Sequence, residues 1–114
     1  MKLWYSNSSP YARKARAVVQ YHQLQDHVEL LLTTSGLDKN SPHNLDNPLG
    51  RLPALQRENG EWLYNSSLIA EYLDNIGTQP SLYGNSETRW EILRLHYLAD
   101  GILENEISVR SKIC

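Results

Sequence analysis

Three short stretches of this 114-residue chain hold residue types that could do chemistry, each where one predicted element meets another. The first is Ser8-Ser9-Pro10-Tyr11, where the extended run Lys2–Ser6 gives way to a helical pattern. Proline at the first helical position gives up a donor that would have no partner there, and the serine before it can cap the helix. Two hydroxyls then stand beside the positive end of a helix dipole, which suits an anion. Arg13, Lys14 and Arg16 add positive charge nearby, but a basic run of this kind reads first as a solvated helix face and is not assigned to the site. The second stretch is Asn47-Pro48-Leu49-Gly50-Arg51-Leu52-Pro53-Ala54-Leu55, with a proline directly before a strand. The third is Asn65-Ser66-Ser67, a polar group at the start of another helix. Each serine has a plain reading as a helix cap and a chemical one as a ligand contact, and composition alone does not separate them.

Other chemistries find little support. His22, His27, His43 and His96 share no metal-ligand spacing, and no cysteine joins them. His22 belongs at the buried edge of its helix. No Gly-x-Ser-x-Gly elbow is present, so Ser9 does not belong to a hydrolase triad. The single cysteine is Cys114, which excludes an internal disulfide framework, suits a reducing cytosol and is given no redox role. Eleven basic against thirteen acidic residues give a formal charge of −2, so no nucleic-acid or membrane-binding field is expected. No apolar run approaches the ~18 residues of a membrane span, and the start Met1-Lys2-Leu3-Trp4-Tyr5 lacks a secretory core.

The elements that must position these residues alternate. Lys2–Ser6 reads as a strand and Pro10–Leu24 as a helix with Ala15, Val18, Val19 and His22 on its apolar side. Val28–Thr33 is a second strand, so continuously apolar that both its faces are expected to be covered. Residues 34–50 read as a long loop with a short helical turn. Ala54–Arg57 and Glu61–Tyr64 flank Asn59-Gly60, a strong hairpin signal. Ser66–Ile76 is a helix with the stripe Leu68, Ile69, Tyr72, Leu73 and Ile76, stopped at Gly77. The order β-α-β, loop, β-β-α implies a mixed α/β sheet with helices on its faces. Ser86–Lys112 is a helix opened by a half-built capping box, Ser86 with Arg89, and apolar around so much of its girth that it expects neighbours on several sides. A partner chain, or a further helical region, would supply them.

The first segment, Ser9-Pro10-Tyr11-Ala12, has the spacing of a Cys-Pro-Tyr-Cys redox turn with both sulfurs replaced. With Asn-Pro-x-Gly-x-x-Pro-x-Leu and x-Ser-x-x-Ile-x-x-Tyr-Leu following in register, residues 1–85 resemble the glutathione S-transferase family in its serine-type, bacterial style. The resemblance implies a thioredoxin-like glutathione-binding domain at 1–78, a linker at 79–85, and at 86–114 the first helix of an all-helical domain. It further implies that glutathione is the co-substrate, with no metal, and that its thiol is activated for attack on a small electrophile. Ser9 would donate to the sulfur, with Ser8 and Tyr5 as the other candidates. Leu52-Pro53 resembles the family's cis-proline, leaving the Leu52 backbone to pair with the tripeptide like an added strand. Arg51 would reach a carboxylate, and Asn65-Ser66 would hold the γ-glutamyl end. An acidic residue is usual where Asn65 stands, so weaker binding of the ligand's ammonium is expected. Members are usually cytoplasmic homodimers. A non-enzymatic binding or regulatory module on the same fold, or an inactive truncated form, is the alternative, while a glutaredoxin-like dithiol enzyme would need a cysteine at position 9.

Overall fold

The structure, a computed structural model, describes residues 1–33 and 52–113, with side chains described as far as Glu104. The expected loop with its helical turn therefore lies outside the described residues. The chain forms two compact units, Met1–Pro80 and Ser81–Cys114.

In the first unit, strand β1 (Lys2–Tyr5) leads into helix α1 (Pro10–Tyr21) and then strand β2 (Glu29–Leu32). Strands β3 (Ala54–Gln56) and β4 (Trp62–Tyr64) form the hairpin, and helix α2 (Ser66–Asn75) follows. The sheet order is β2-β1-β3-β4. β1 pairs with β2 in parallel and with β3 antiparallel, and β3 pairs antiparallel with β4. The hairpin turns through Gly60 at φ +89°, a conformation glycine adopts without a Cβ penalty.

α1 buries Ala12, Ala15, Val18 and Val19, and α2 buries Ile69, Ala70 and Leu73. These small and aliphatic faces close over Leu3 and Leu55 of the sheet in a single core, each large aliphatic side chain contributing about 1.5–3 kcal/mol. Two side-chain contacts fix how the helices lie. Lys14 Nζ stands 3.5 Å from Ser67 Oγ, and His22 Nε2 stands 2.8 Å from Asp74 Oδ1. The pairs are offset by 53 and 52 residues, so α1 and α2 run side by side in the same direction. Both helix N-termini therefore face the same end of the unit.

The structure departs from the sequence expectations in three places. β2 is not covered on both faces: among the described residues it is the outermost strand, and Leu30 and Leu32 are exposed. In α2 the buried stripe is turned by one position, with Leu68 exposed and Ala70 and Asp74 inside. In the second unit, helix α3 (Arg89–Ile113) starts later than the expected Ser86, and Asn85, not Ser86, caps the turn that leads into it. Asn85 Oδ1 accepts from the Glu87 and Thr88 amides, and Thr88 Oγ1 accepts from the Asn85 amide. This is a reciprocal capping box with Asn and Thr in the two roles. No helix among the described residues is long and apolar enough to cross a membrane.

Candidate functional site

Strand register brings the singled-out segments to one edge of the sheet. Trp4 pairs with Ala54, and Ala54 with Tyr64. One residue further along each strand stand Tyr5, Pro53 and Asn65, so these three share a row. From that row the chain enters α1 through Ser9 and α2 through Asn65.

Ser9 is a helix cap in extended conformation (φ −78°, ψ 116°), its Oγ accepting from the Ala12 amide at 3.1 Å. Its own amide donates to Ser6 Oγ at 3.2 Å, so the buried Ser6 shapes the turn that presents it. A hydroxyl that accepts with a lone pair keeps its proton for another acceptor. Capping and donation to a ligand are thus compatible on this one oxygen. Ser8 is exposed. Tyr5 is half-buried, with the Arg16 guanidinium 4.5 Å over its ring.

The Leu52-Pro53 bond is cis, with Pro53 buried and Leu52 half-buried. Arg51 lies outside the described residues. Asn65 takes the unusual φ of +79° with ψ 121°, outside the left-handed helical region in which asparagine is common. Its Oδ1 accepts from the Ser67 amide at 2.9 Å and its carbonyl from the Ile69 amide at 3.0 Å. Ser66 and Ser67 are buried in the first turn of α2.

The first turns of α1 and α2 contain no acidic residue. Their dipoles therefore act together on the space before them, favouring negative charge by about 0.3–1 kcal/mol each when exposed. Lys14 and Arg16 do not form the solvated face that their sequence suggested. Lys14 is half-buried and turns toward Ser67, while Arg16 lies on Tyr5. The partner of Lys14 lies 53 residues away, so no local pattern announces it. Among the described residues no group of three or more His, Cys, Asp or Glu could hold a metal ion.

A parallel β-α-β unit, a cis-proline opening the next strand, and a hairpin leading into a second helix define a thioredoxin-like domain. The family model for the glutathione S-transferase N-terminal domain matches residues 8–76. The chain belongs to the glutathione S-transferase family. It is 30% identical over 124 aligned positions to the uncharacterised GST-like protein YibF of Escherichia coli K12, covering 98% of this chain and 55% of that protein. A glutathione transferase family member from Pseudomonas fluorescens Pf-5, solved with bound glutathione, is 34% identical with a TM-score of 0.85; the match covers 96% of this chain and 54% of the other. A glutathione S-transferase from Methylobacillus flagellatus KT, also with glutathione bound, is 35% identical with a TM-score of 0.78, covering 93% and 52%. The chain spans about half the length of the relatives it matches.

Proposed function

We propose that this chain binds glutathione at the sheet edge carrying Tyr5, Pro53 and Asn65, and that Ser9 holds the thiol as thiolate for attack on a small electrophile. The observation that carries this is the convergence of two acid-free helix starts on that edge. Family membership and glutathione-bound relatives at 34% and 35% identity support the choice of ligand. Leu52 pairs its backbone with the tripeptide, Pro53 shapes the floor beside it, and Arg51 reaches a carboxylate. Asn65 and Ser66 hold the γ-glutamyl end against the α2 dipole.

The energetics are sufficient. A free thiol has a pKa of about 8.5, and lowering it to about 6.5 takes ~2.7 kcal/mol of preferential thiolate stabilisation. One hydrogen bond to a charged acceptor supplies about 1.5–3 kcal/mol, and the α1 N-terminus about 0.3–1 kcal/mol. Ser9 takes no covalent part. The reaction is conjugation or glutathione-dependent reduction of a small electrophile in a cytoplasmic homodimer.

A binding or regulatory module is the second reading, favoured by the uncharged Asn65 at the γ-glutamyl end. Calorimetric titration with glutathione, followed by turnover of a generic aromatic electrophile, separates the cases. Binding with turnover supports the transferase, binding alone supports the module, and no heat at millimolar glutathione refutes both.

A further inference from the structure

We infer that the buried pair His22–Asp74, remote from the ligand, is a register pin that holds the α1 and α2 halves of the glutathione site at a fixed spacing. His22 is fully buried and Asp74 nearly so, 2.8 Å apart at the C-terminal ends of the two helices. The imidazole is held from both sides. Its Nδ1 accepts from the Gln79 amide at 3.1 Å, so Nε2 carries the proton and donates to Asp74. Thr78 Oγ1 donates to the His22 carbonyl at 2.8 Å, and Gly77 lies so close that an added Cβ would collide with the His22 ring.

Apart from this pair and the longer 3.5 Å contact of Lys14 with Ser67, the faces that the two helices bury in the core are apolar, with Ala15, Val18, Val19, Ile69, Ala70 and Leu73. Such packing is strong but non-directional, and a slide of one helix along the other changes its energy little. A buried hydrogen bond is directional and fails within an ångström or so. Fixing register is also the best-attested use of buried polar pairs. The consequence appears at the other ends of these helices, where Ser9 and Asn65-Ser66 sit. A ligand spanning both starts needs their spacing held; a misplacement of 1 Å costs on the order of 10²-fold where geometry matters. The pin thus acts through Ser9 and Ser66, as a positioning pair that touches no ligand.

The first arm of the test uses the ligand-free full chain. Amide hydrogen exchange is measured at Ala12 and Ser67, the capped amides of the two first turns, well below the melting temperature. Asp74→Leu is expected to speed exchange at both amides severalfold, and Asp74→Asn, which keeps an acceptor oxygen for Nε2, to restore protection. If Asp74→Leu does not fold, Asp74→Ser is read in the same way. The second arm, which rests on the glutathione reading, follows the ultraviolet absorbance of the bound thiolate with pH. Loss of the pin is expected to raise the bound thiol's apparent pKa and to weaken binding between about tenfold and 10²-fold, with Asp74→Asn near wild type. Variants that merely melt earlier, with both amides and the bound thiol unchanged, overturn the pin. A wild-type chain that ignores glutathione overturns the functional reading, and the exchange arm still decides the pin.

Discussion

At the scale of single residues, Ser9 meets two demands with one oxygen, accepting the Ala12 amide while keeping a proton to give. Ser9→Ala removes both. It is expected to lower kcat by about tenfold to 10²-fold, the worth of a hydrogen bond to a charged sulfur, and to cost roughly 1 kcal/mol of stability through the lost cap. Steady-state kinetics and urea denaturation read the two losses separately, and Ser9→Thr is expected to retain most of each. If Ser8→Ala or Tyr5→Phe takes the larger kinetic loss instead, the thiol donor has been misassigned. Asn65 provides a second residue-scale test. Asn65→Asp keeps the cap and gives the ligand's ammonium a charged partner, a gain of roughly 1 kcal/mol or about fivefold in glutathione affinity. Weaker calorimetric binding by that variant would place the ammonium elsewhere. Ser9, Pro53 and Asn65-Ser66 were legible because their signals are local: a cap, a proline before a strand, and a polar cluster before an apolar stripe. Lys14 and Ser6 were not, since their roles depend on Ser67 from another element and on the shape of a turn.

At the scale of elements, most strands and helices followed from periodicity, and the misses share one cause. Hydropathy reports that a residue is apolar, not where its element falls in the sheet or which way a helix is rolled. Leu30 and Leu32 made β2 look interior, yet the strand pairs on one side only among the described residues. In α2, Asp74 belongs to the buried face because His22 receives it there, a pairing invisible to a hydrophobic stripe. The same contact makes Gly77 a sensitive position. Gly77→Ala forces its methyl into a ring held on both nitrogens, and is expected to destabilise the first unit by about 1–3 kcal/mol. Equilibrium unfolding checks this, and an unchanged midpoint would mean that the ring can yield. In α3, Arg94 beside Glu91 holds that carboxyl below its ordinary value, first through their hydrogen bond. Any stabilisation from this exposed pair is therefore present above the unfolded carboxyl's pKa and lost as the pH falls through the lowered folded value.

At the scale of the whole molecule, α3 carries Trp90, Leu95, Tyr97, Leu98 and Ile102, all at least half exposed. Single exposed apolar side chains are ordinary, but this many on one helix form a surface that seeks cover. The chain is expected to self-associate through it, and replacing Trp90, Leu98 and Ile102 together by serine is expected to shift the population toward monomer. Sedimentation velocity across a range of concentrations decides the matter; a clean wild-type monomer would show that the surface is tolerated in water. This breadth of apolar character was legible in the sequence, whereas what covers it in an assembly was not, because helical periodicity identifies a face and not its partner.

The sulfur of glutathione resting against the Ser9 hydroxyl is tested most directly by a pH titration of the thiolate absorbance of bound glutathione, in the wild-type chain and in Ser9→Ala. The expected result is a bound thiol titrating well below the free value of about 8.5 and returning toward it when the hydroxyl is removed. Glutathione that binds with its thiol unshifted, or with a shift indifferent to Ser9→Ala, would contradict that placement.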